Sequence, residues 1–151
     1  GATIGFLMWN KSPAKIYMGD AGALFLGIIV SVATIRLNPG ITPTWQSLAI
    51  PVILLAVPLL DTCVAVFSRI FRGVSPLTGG RDHLSHRLVT KGLTRPQAAI
   101  ALWLLSLVCV FMANAVYFCS VSFVGILTTL FGIGWALLFC YFISIRIEDI
   151  G

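Results

Sequence analysis

An aspartate stands where the chain changes from a polar segment into a long apolar one. Asp20 lies in the string PAKIYMGDAG, which begins at Pro13; Lys11 and Lys15 precede it, and residues 21–35 carry no charge. A carboxylate at the mouth of a membrane helix is costly in lipid, so a functional site is its first interpretation. The first turn of a helix also favours a carboxylate or a phosphate. We predict a catalytic or metal-binding role for Asp20, with an N-cap as the structural alternative.

Two histidines form the second candidate group. His83 and His86 are three residues apart in GGRDHLSHRL, so on a helix both rings would project from one face, with Arg87 close by. Glycines and several cations surround them, and a phosphate-binding loop uses these residue types. Histidine donates hydrogen bonds to phosphate oxygens, and its charge changes near neutral pH. A solvated loop surface without function is the alternative.

Two further residues have interpretations that the sequence leaves open. Asp61 lies eight residues before Arg69, about 12 Å along a helix from the basic end of its apolar run. It must pair, become protonated or face a polar cavity. Val64 and Ala65 occupy the positions three and four residues later, so a partner must come from another helix, and a structural pair and a catalytic role are both open. Tyr17 fits a membrane-surface belt or stacking on a nucleobase.

The composition indicates an integral membrane protein. Of the 151 residues 58% are hydrophobic and 10% are charged, and the mean hydropathy is +1.00. So little polar surface cannot cover a water-soluble globule. The four cysteines lie in or beside apolar runs without the paired spacing of a zinc site, and we interpret them as reduced packing residues. Residues 1–9 resemble the end of an apolar helix, so we expect the sequence to be a fragment.

The apolar runs predict four membrane spans, each near the ~20 residues that a bilayer requires. They cover Ile16–Ile35, Leu48–Phe67, Gln97–Phe118 and Val121–Ser144. Pro51 and Pro58 should kink the second span. The predicted fold class is therefore an all-α membrane protein, a polytopic transmembrane helical bundle of about four spans plus the end of a preceding one. Residues 1–151 form a single transmembrane region in this interpretation.

Basic residues cluster between the second and third predicted spans. Six lysines and arginines lie between residues 69 and 95, whereas Arg36 alone lies in the turn after the first span. By the positive-inside rule we predict that the loop 68–96, which carries both histidines, is cytoplasmic, together with the C-terminus. Asn10 and Asp20 then lie at the same membrane face as the histidines. Convergence of polar groups on one face is what an active site requires.

Three strings together resemble one enzyme family. They are NKSPAKIYMGDAG from Asn10, PLLDT from Pro58 and SPLTGGRDHLSHRL from Ser75. In this order they resemble the bacterial polyprenyl-phosphate N-acetylhexosamine-1-phosphate transferases, glycosyl transferase family 4. The resemblance implies transfer of a sugar 1-phosphate from a UDP-sugar to a polyprenyl phosphate, with release of UMP, for cell-envelope polysaccharide synthesis. It implies a multi-pass protein of the bacterial plasma (inner) membrane and no nucleic-acid partner.

The resemblance also carries roles onto matching positions. It implies Mg²⁺ as cofactor, with Mn²⁺ as a substitute, because a hard cation neutralises the charge that develops on phosphoryl oxygens. Asp20 matches the metal-associated aspartate, while His83 and His86 match the loop that binds the nucleotide-sugar diphosphate; we predict that all three are catalytic. The substrate-binding residues are then Asn10 on the nucleotide side, Tyr17 near the uracil, and Arg81 and Arg87 in the loop.

The sequence departs from the family pattern in two respects. Gly80 precedes Arg81 where the family has an aspartate, and Ser85 stands at the position of the middle histidine. The family's paired aspartates on an earlier loop and a further acidic motif have no counterpart. We therefore expect the chain to be the C-terminal part of a larger transferase, inactive without the N-terminal half of the same enzyme. A homodimer is left open.

Two spans after the histidine loop favour one branch of the family. They fit the undecaprenyl-phosphate GlcNAc-1-phosphate transferases better than the phospho-MurNAc-pentapeptide transferases, which typically have one span there. Two alternatives belong to other functional classes: a transporter or channel in which Asp61 lies on an ion path, and a non-catalytic lipid-binding subunit. The string GGRDHLSHRL has no function in the transporter alternative.

Overall fold

The computed structural model describes residues 1–11, 13–36, 44–77, 80 and 82–145. Within these ranges the chain forms seven α-helices and no strand, which confirms the predicted all-α class. The chain divides into two compact units, Gly1–Pro39 and Gly40–Gly151.

The first unit contains two helices. Helix α1 covers Ala2–Asn10, the segment expected to be an apolar helix, and α2 covers Gly19–Arg36. The first predicted span therefore begins at Gly19 instead of Ile16. The described apolar part of α2, Gly19–Ala33, is shorter than the ~20 residues that cross a bilayer.

The second unit contains five helices and the longest apolar ones. They are α3 at Thr44–Leu54, α4 at Ala56–Phe71, α5 at Leu84–Thr90, α6 at Arg95–Phe118 and α7 at Val121–Ser144. Helix α6 and residues Ser122–Ser144 of α7 are each long and apolar enough to cross a membrane, and α3 with α4 counts as a third span if the bent pair is one. The third and fourth predicted spans are thus confirmed almost to the residue.

The predicted kink in the second span is a break between two helices. Helices α3 and α4 meet at Leu55 with a bend of 67°. Pro58 causes this break, because its ring nitrogen cannot donate to the Leu54 carbonyl and its ring crowds that oxygen. Pro58 lies in the first turn of α4, where a missing N–H is tolerated. The bend is held from α7, since Trp135 Nε1 donates to the Ala56 carbonyl at 3.1 Å.

Two apolar clusters hold the second unit together. One joins α3, α4, α6 and α7, and its buried members are Ile50, Ile53, Ala56, Cys109, Ala113, Val116 and Val124. The other packs the short helix α5 onto α4 and α7 through Leu60, Val64, Leu84, Phe142 and Ile145. Large apolar side chains elsewhere on α6 and α7 are exposed, as lipid-facing helices require. The second cluster therefore positions the histidine-bearing loop.

Several polar side chains within the long apolar helices donate to the preceding turn of their own helix. Ser106 donates to the Leu102 carbonyl at 2.9 Å, and Thr128 donates to the Val124 carbonyl at 2.9 Å. Such bonds to the preceding turn leave no free donor in lipid. The four cysteines are all unpaired, as predicted.

The tryptophan bond to the bend can be tested by removing its donor alone. Trp135→Phe keeps an aromatic ring against Phe139 but cannot donate to the Ala56 carbonyl. We expect the free energy of unfolding in detergent to fall by about 1 kcal/mol, the usual net contribution of one hydrogen bond. Trp103→Phe is the matched control, because Trp103 is 55% exposed. Equal stability of the two variants would contradict this role.

Candidate functional site

A buried carboxylate closes the loop between α4 and α5. Asp82 is 4% exposed and lies between two arginines at the end of α4. It accepts from Arg69 Nε at 2.6 Å and from Arg72 Nη2 at 2.5 Å, while Arg69 Nη1 donates to the Pro76 carbonyl at 2.8 Å. We call the set Arg69, Arg72 and Asp82 the carboxylate clasp. It ties both ends of the loop to one another.

The electrostatics of the clasp keep Asp82 ionised. Burial alone would raise the pKa of the Asp82 carboxyl, but the hydrogen bond from Arg69 and the positive charges of Arg72 and Arg69 outweigh it and lower that pKa below 3.8. The carboxylate is thus stabilised by its partners in spite of its burial. An Asp82 so engaged is a structural group.

Gly80, which precedes Arg81, lies where there is no room for a side chain. A Cβ at Gly80 would lie 2.6 Å from Asp82 Oδ2 and 3.4 Å from Arg69 Nη2. Any larger residue at this position must displace the clasp. The departure from the family pattern at Gly80 therefore agrees with the way the loop is closed in this chain.

Arg87 lies in the protein interior. It is 1% exposed; its Nε donates to the Asp82 carbonyl at 3.0 Å, and its Nη1 donates to the Phe142 and Ile145 carbonyls at 2.8 and 2.6 Å. A guanidinium at these last carbonyls complements the negative end of the α7 dipole. Burial lowers the pKa of Arg87, and the charges of Asp82 and Asp61 oppose this. This placement favours a structural role over the predicted substrate contact.

Asp61 and His83 form a hydrogen-bonded pair of a carboxylate and an imidazole in the second unit. Asp61 Oδ2 lies 2.8 Å from His83 Nδ1, and Asp61 Oδ1 accepts from the Leu84 amide at 2.6 Å. His83 is the N-cap residue of α5, but its side chain makes no capping hydrogen bond. The Asp61 carboxylate from α4 accepts from the first amide of α5 instead. The prediction that a partner for Asp61 must come from outside its own helix is confirmed.

The pair opens onto a groove. The side chain of His83 is 49% exposed and that of Asp61 31%. They line an open cavity of about 470 Å³ together with Ser85 of α5 and Trp103 and Ser106 of α6. His86, one turn further along α5, is also exposed. Both histidines therefore remain accessible to a ligand.

Arg81, predicted to bind substrate, lies outside the described residues. The sequence did not single out the carboxylate clasp. One signal was present: Asp82 is the sole acid among the six cations of residues 69–95. An acid so placed is expected to pair within the loop.

Asp20 lies in the first turn of α2, as predicted, and is exposed. The helix begins at Gly19, one residue earlier, so Asp20 is not its N-cap. Gly19 has φ +64°, a left-handed conformation that favours glycine, and a Cβ at Gly22 would overlap Met18 Cγ. The string MGDAG is thus shaped by two glycines that fix how the chain enters the helix.

The segment before α2 is closed by its own polar groups. Asn10 Nδ2 donates to the Ile16 carbonyl at 2.9 Å, and the Lys15 amide donates to the Trp9 carbonyl at 2.9 Å. Asn10 therefore has a structural bond besides its predicted role toward the nucleotide. Tyr17 is 83% exposed, which agrees with either interpretation given above. Asp20 and the histidines lie in different units, so their convergence on one face stays a prediction.

A divalent cation needs several oxygen, nitrogen or sulfur ligands close together. The described residues contain no group of three or more histidine, cysteine, aspartate or glutamate side chains able to hold a metal ion. Of the three acids in the described ranges, Asp82 is neutralised by arginines and Asp61 accepts two hydrogen bonds. Asp20 fits a Mg²⁺ site in which one or two carboxylates act with substrate phosphates.

Helices and loop together define a multi-pass α-helical membrane protein. Comparison with known proteins shows what the chain is similar to. Residues 1–38 match the family model of glycosyl transferase family 4. The resemblance to that family is thereby confirmed.

The chain is also similar to curated proteins along most of its length. It is 36% identical over 107 residues to the probable undecaprenyl-phosphate N-acetylglucosaminyl 1-phosphate transferase of Bacillus subtilis, a match that covers 71% of the chain and 30% of that relative. It is 34% identical over 114 residues to the decaprenyl-phosphate N-acetylglucosaminephosphotransferase of Mycolicibacterium smegmatis, covering 69% and 28%.

A third relative belongs to the other branch. The phospho-N-acetylmuramoyl-pentapeptide-transferase of Micrococcus luteus is 32% identical over 123 residues, covering 78% of the chain and 30% of the relative. The chain thus spans less than a third of the length of these curated relatives. No solved structure matches it.

If the carboxylate clasp closes the loop, removing its carboxylate should destabilise the protein and expose the loop to proteases. Asp82→Asn leaves two arginines without their ionic partner. We expect the free energy of unfolding in detergent to fall by about 2 to 3 kcal/mol, less than for a fully buried pair because Arg72 is 34% exposed. Trypsin should then cut faster after Arg69 and Arg72. Ser75→Ala, an exposed change in the same loop, is the control. Cleavage at the control rate would contradict the clasp.

The lowered pKa of Asp82 gives the clasp a defined pH dependence. A carboxyl whose pKa is lower in the folded state stabilises the protein above its unfolded value and loses this contribution as the pH falls through the folded value. We expect the difference in thermal midpoint between the wild type and Asp82→Asn to be constant from about pH 7 to about pH 5. It should shrink as the pH falls below about 5, where the unfolded carboxyl begins to bind protons. A difference that already shrinks between about pH 7 and about pH 5 would contradict the lowered pKa of Asp82.

Proposed function

We propose that the protein containing these residues transfers N-acetylglucosamine 1-phosphate from UDP-N-acetylglucosamine to undecaprenyl phosphate. In this reaction an oxygen of the lipid phosphate bonds to the phosphorus that bears the sugar. The bond from that phosphorus to the bridging oxygen breaks, and UMP leaves. The observation that carries the proposal is the 36% identity to a named transferase of this type across 71% of the chain.

The accessible residues of both units support such a reaction. His83 and His86 are exposed on or beside α5, and with Arg81 they would bind the diphosphate of the nucleotide sugar. Asp20, exposed at the start of α2, would hold Mg²⁺, or Mn²⁺ in its place. The cation would supply charge neutralisation at the phosphoryl oxygens. Further acidic ligands would come from parts of the protein other than these 151 residues, so we expect these residues alone to be inactive.

The distribution of charge also supports a location for the loop in the cell. Six cations between residues 69 and 95 favour the cytoplasmic side for this loop in a bacterial plasma membrane. Soluble UDP-sugars reach the histidines from that side, while the lipid acceptor arrives within the bilayer. This arrangement suits synthesis of a cell-envelope polysaccharide.

The names of some relatives support a different nucleotide-sugar donor as the alternative. The match to a phospho-N-acetylmuramoyl-pentapeptide-transferase supports UDP-MurNAc-pentapeptide as the alternative. Two long apolar helices after the histidine loop, α6 and α7, favour the GlcNAc type. In the transporter alternative Asp61 would be free to carry ions, whereas its carboxylate accepts hydrogen bonds from His83 and Leu84.

The proposal predicts a loss of UMP release when Asp20 is changed. Membranes containing the protein would be supplied with Mg²⁺, undecaprenyl phosphate and either UDP-GlcNAc or UDP-MurNAc-pentapeptide. We expect UMP with the first donor, and a decrease of about 100-fold or more in Asp20→Asn, since the amide cannot neutralise the metal ion. Removal of divalent cations with a chelator should have the same effect.

The matched control is Asp149→Asn, the same chemical change at an acid outside the motifs. It should release UMP at the wild-type rate at equal protein levels. Undiminished turnover in Asp20→Asn would overturn the role of Asp20. Release with the pentapeptide donor alone would move the protein to the other branch.

A further inference from the structure

The contact between Asp61 and His83 is held rigidly from both sides. Asp61 lies on α4 between the buried Leu60 and Val64, which are 1% and 0% exposed. The residue after His83, Leu84, is 0% exposed and packs in the same cluster. Because both backbones are fixed by this packing, the 2.8 Å separation of Asp61 Oδ2 and His83 Nδ1 is a defined feature of the fold.

The chemistry of the two groups determines where the imidazole proton lies. An ionised carboxylate only accepts hydrogen bonds, so His83 Nδ1 must carry the hydrogen. Neutral His83 then has its lone pair on Nε2. Among the described residues none hydrogen-bonds Nε2, and the half-exposed ring lines the groove beside Trp103 and Ser106. Nε2 is therefore free to accept a proton from a ligand in the groove.

We infer that Asp61 is a positioning residue that holds His83 as the proton acceptor of the reaction. This inference rests on the proposed function. A phosphate monoester has a second pKa of about 6 and enters partly as its monoanion. His83 Nε2 takes the proton of that monoanion, which frees the phosphate oxygen to bond to the sugar-bearing phosphorus. The imidazolium formed is paired with the Asp61 carboxylate, donates from Nε2 to the diphosphate that His86 and Arg81 also bind, and returns the proton to the departing UMP.

A purely structural role for Asp61 is the competing account. The Leu84 amide bond at 2.6 Å could be the reason for an acid at this position, as a cap for α5. Asp61→Asn separates the two accounts. Its amide oxygen still accepts from Leu84, but its NH₂ group now faces His83 Nδ1, so the ring must move its proton to Nε2. The cap survives, and the proton acceptor is lost.

The tautomer can be measured without any activity. The chain has two histidines, so ¹⁵N-histidine labelling of the whole 151-residue chain in micelles gives two imidazoles. His86→Gln assigns them. We expect a protonated Nδ1 and an unprotonated Nε2 at His83 in the wild type, and the reverse in Asp61→Asn, while His86 does not change. A wild-type His83 protonated at Nε2 and not at Nδ1, or a tautomer unaffected by Asp61→Asn, would overturn the inference.

Kinetics on the protein containing these residues test the functional part. We expect Asp61→Asn to lower kcat by about 100-fold or more, because an asparagine behind a catalytic histidine holds the ring in the wrong tautomer. Asp61→Glu should recover part of this loss. In a His83→Gln background Asp61→Asn should change kcat by less than about twofold, because it acts through the ring. An equal loss in both backgrounds would show a structural role.

The two proposals fail separately. If the wild type releases no UMP from any donor, the proposed function is wrong, and the ¹⁵N spectra still decide whether Asp61 sets the tautomer of His83. If UMP is released and the spectra or the double-variant cycle fail, the inference is wrong and the transferase assignment stands.

Discussion

The second unit depends on one buried electrostatic interaction, the carboxylate clasp. The charge of Arg69 at the end of α4 would be costly to bury without an anion, and Asp82 supplies that anion from the far end of the loop while also pairing with the partly exposed Arg72. The Asp82 carbonyl in turn accepts from Arg87, whose guanidinium reaches the last carbonyls of α7. A single segment of the loop is thereby tied to the ends of two long helices. Together with the second apolar cluster, which packs Leu84 against α4 and α7, the clasp fixes the position of α5 and of the histidines.

The functional pair is built directly on that frame. Once the clasp fixes Asp82, the next residue is His83, and the Leu84 side chain fills the cluster between α4 and α7. The Asp61 carboxylate on α4 lies at the start of α5. It caps this helix through the Leu84 amide and orients the His83 ring at the same time. The apolar core has thus placed an ionisable pair beside an open groove.

Much of the fold was predictable from local patterns. Helix α6 begins at a capping box, in which Thr94 and Gln97 bond one another's backbone amides, and the uninterrupted apolar runs give the lengths of α6 and α7. Pro51 and Pro58 predicted the kink of the second span, and the bend lies where Pro58 cannot donate to the Leu54 carbonyl. The predicted first span began too early, since Gly19 and not the apolar run sets where α2 starts.

The contacts of the site were less predictable, because they join residues far apart in the sequence. Spacing alone placed Arg87 beside the histidines, whereas its partners Phe142 and Ile145 are 55 and 58 residues away. The need of Asp61 for an outside partner followed from its apolar helix, but the identity of that partner did not. Asp20 was singled out by its place at the mouth of an apolar helix and the histidines by their spacing, and the family resemblance then gave them roles. All three are exposed within their own units, which agrees with accessible roles.

The central claim is that the phosphorus attached to the sugar moves to the lipid. The most direct measurement uses UDP-GlcNAc labelled with ³²P at the β-phosphorus, with membranes containing the protein, Mg²⁺ and undecaprenyl phosphate. The account predicts that the label enters the organic-extractable lipid and that unlabelled UMP is released. Label that remains in UDP, as in transfer of the sugar without its phosphate, would contradict the account.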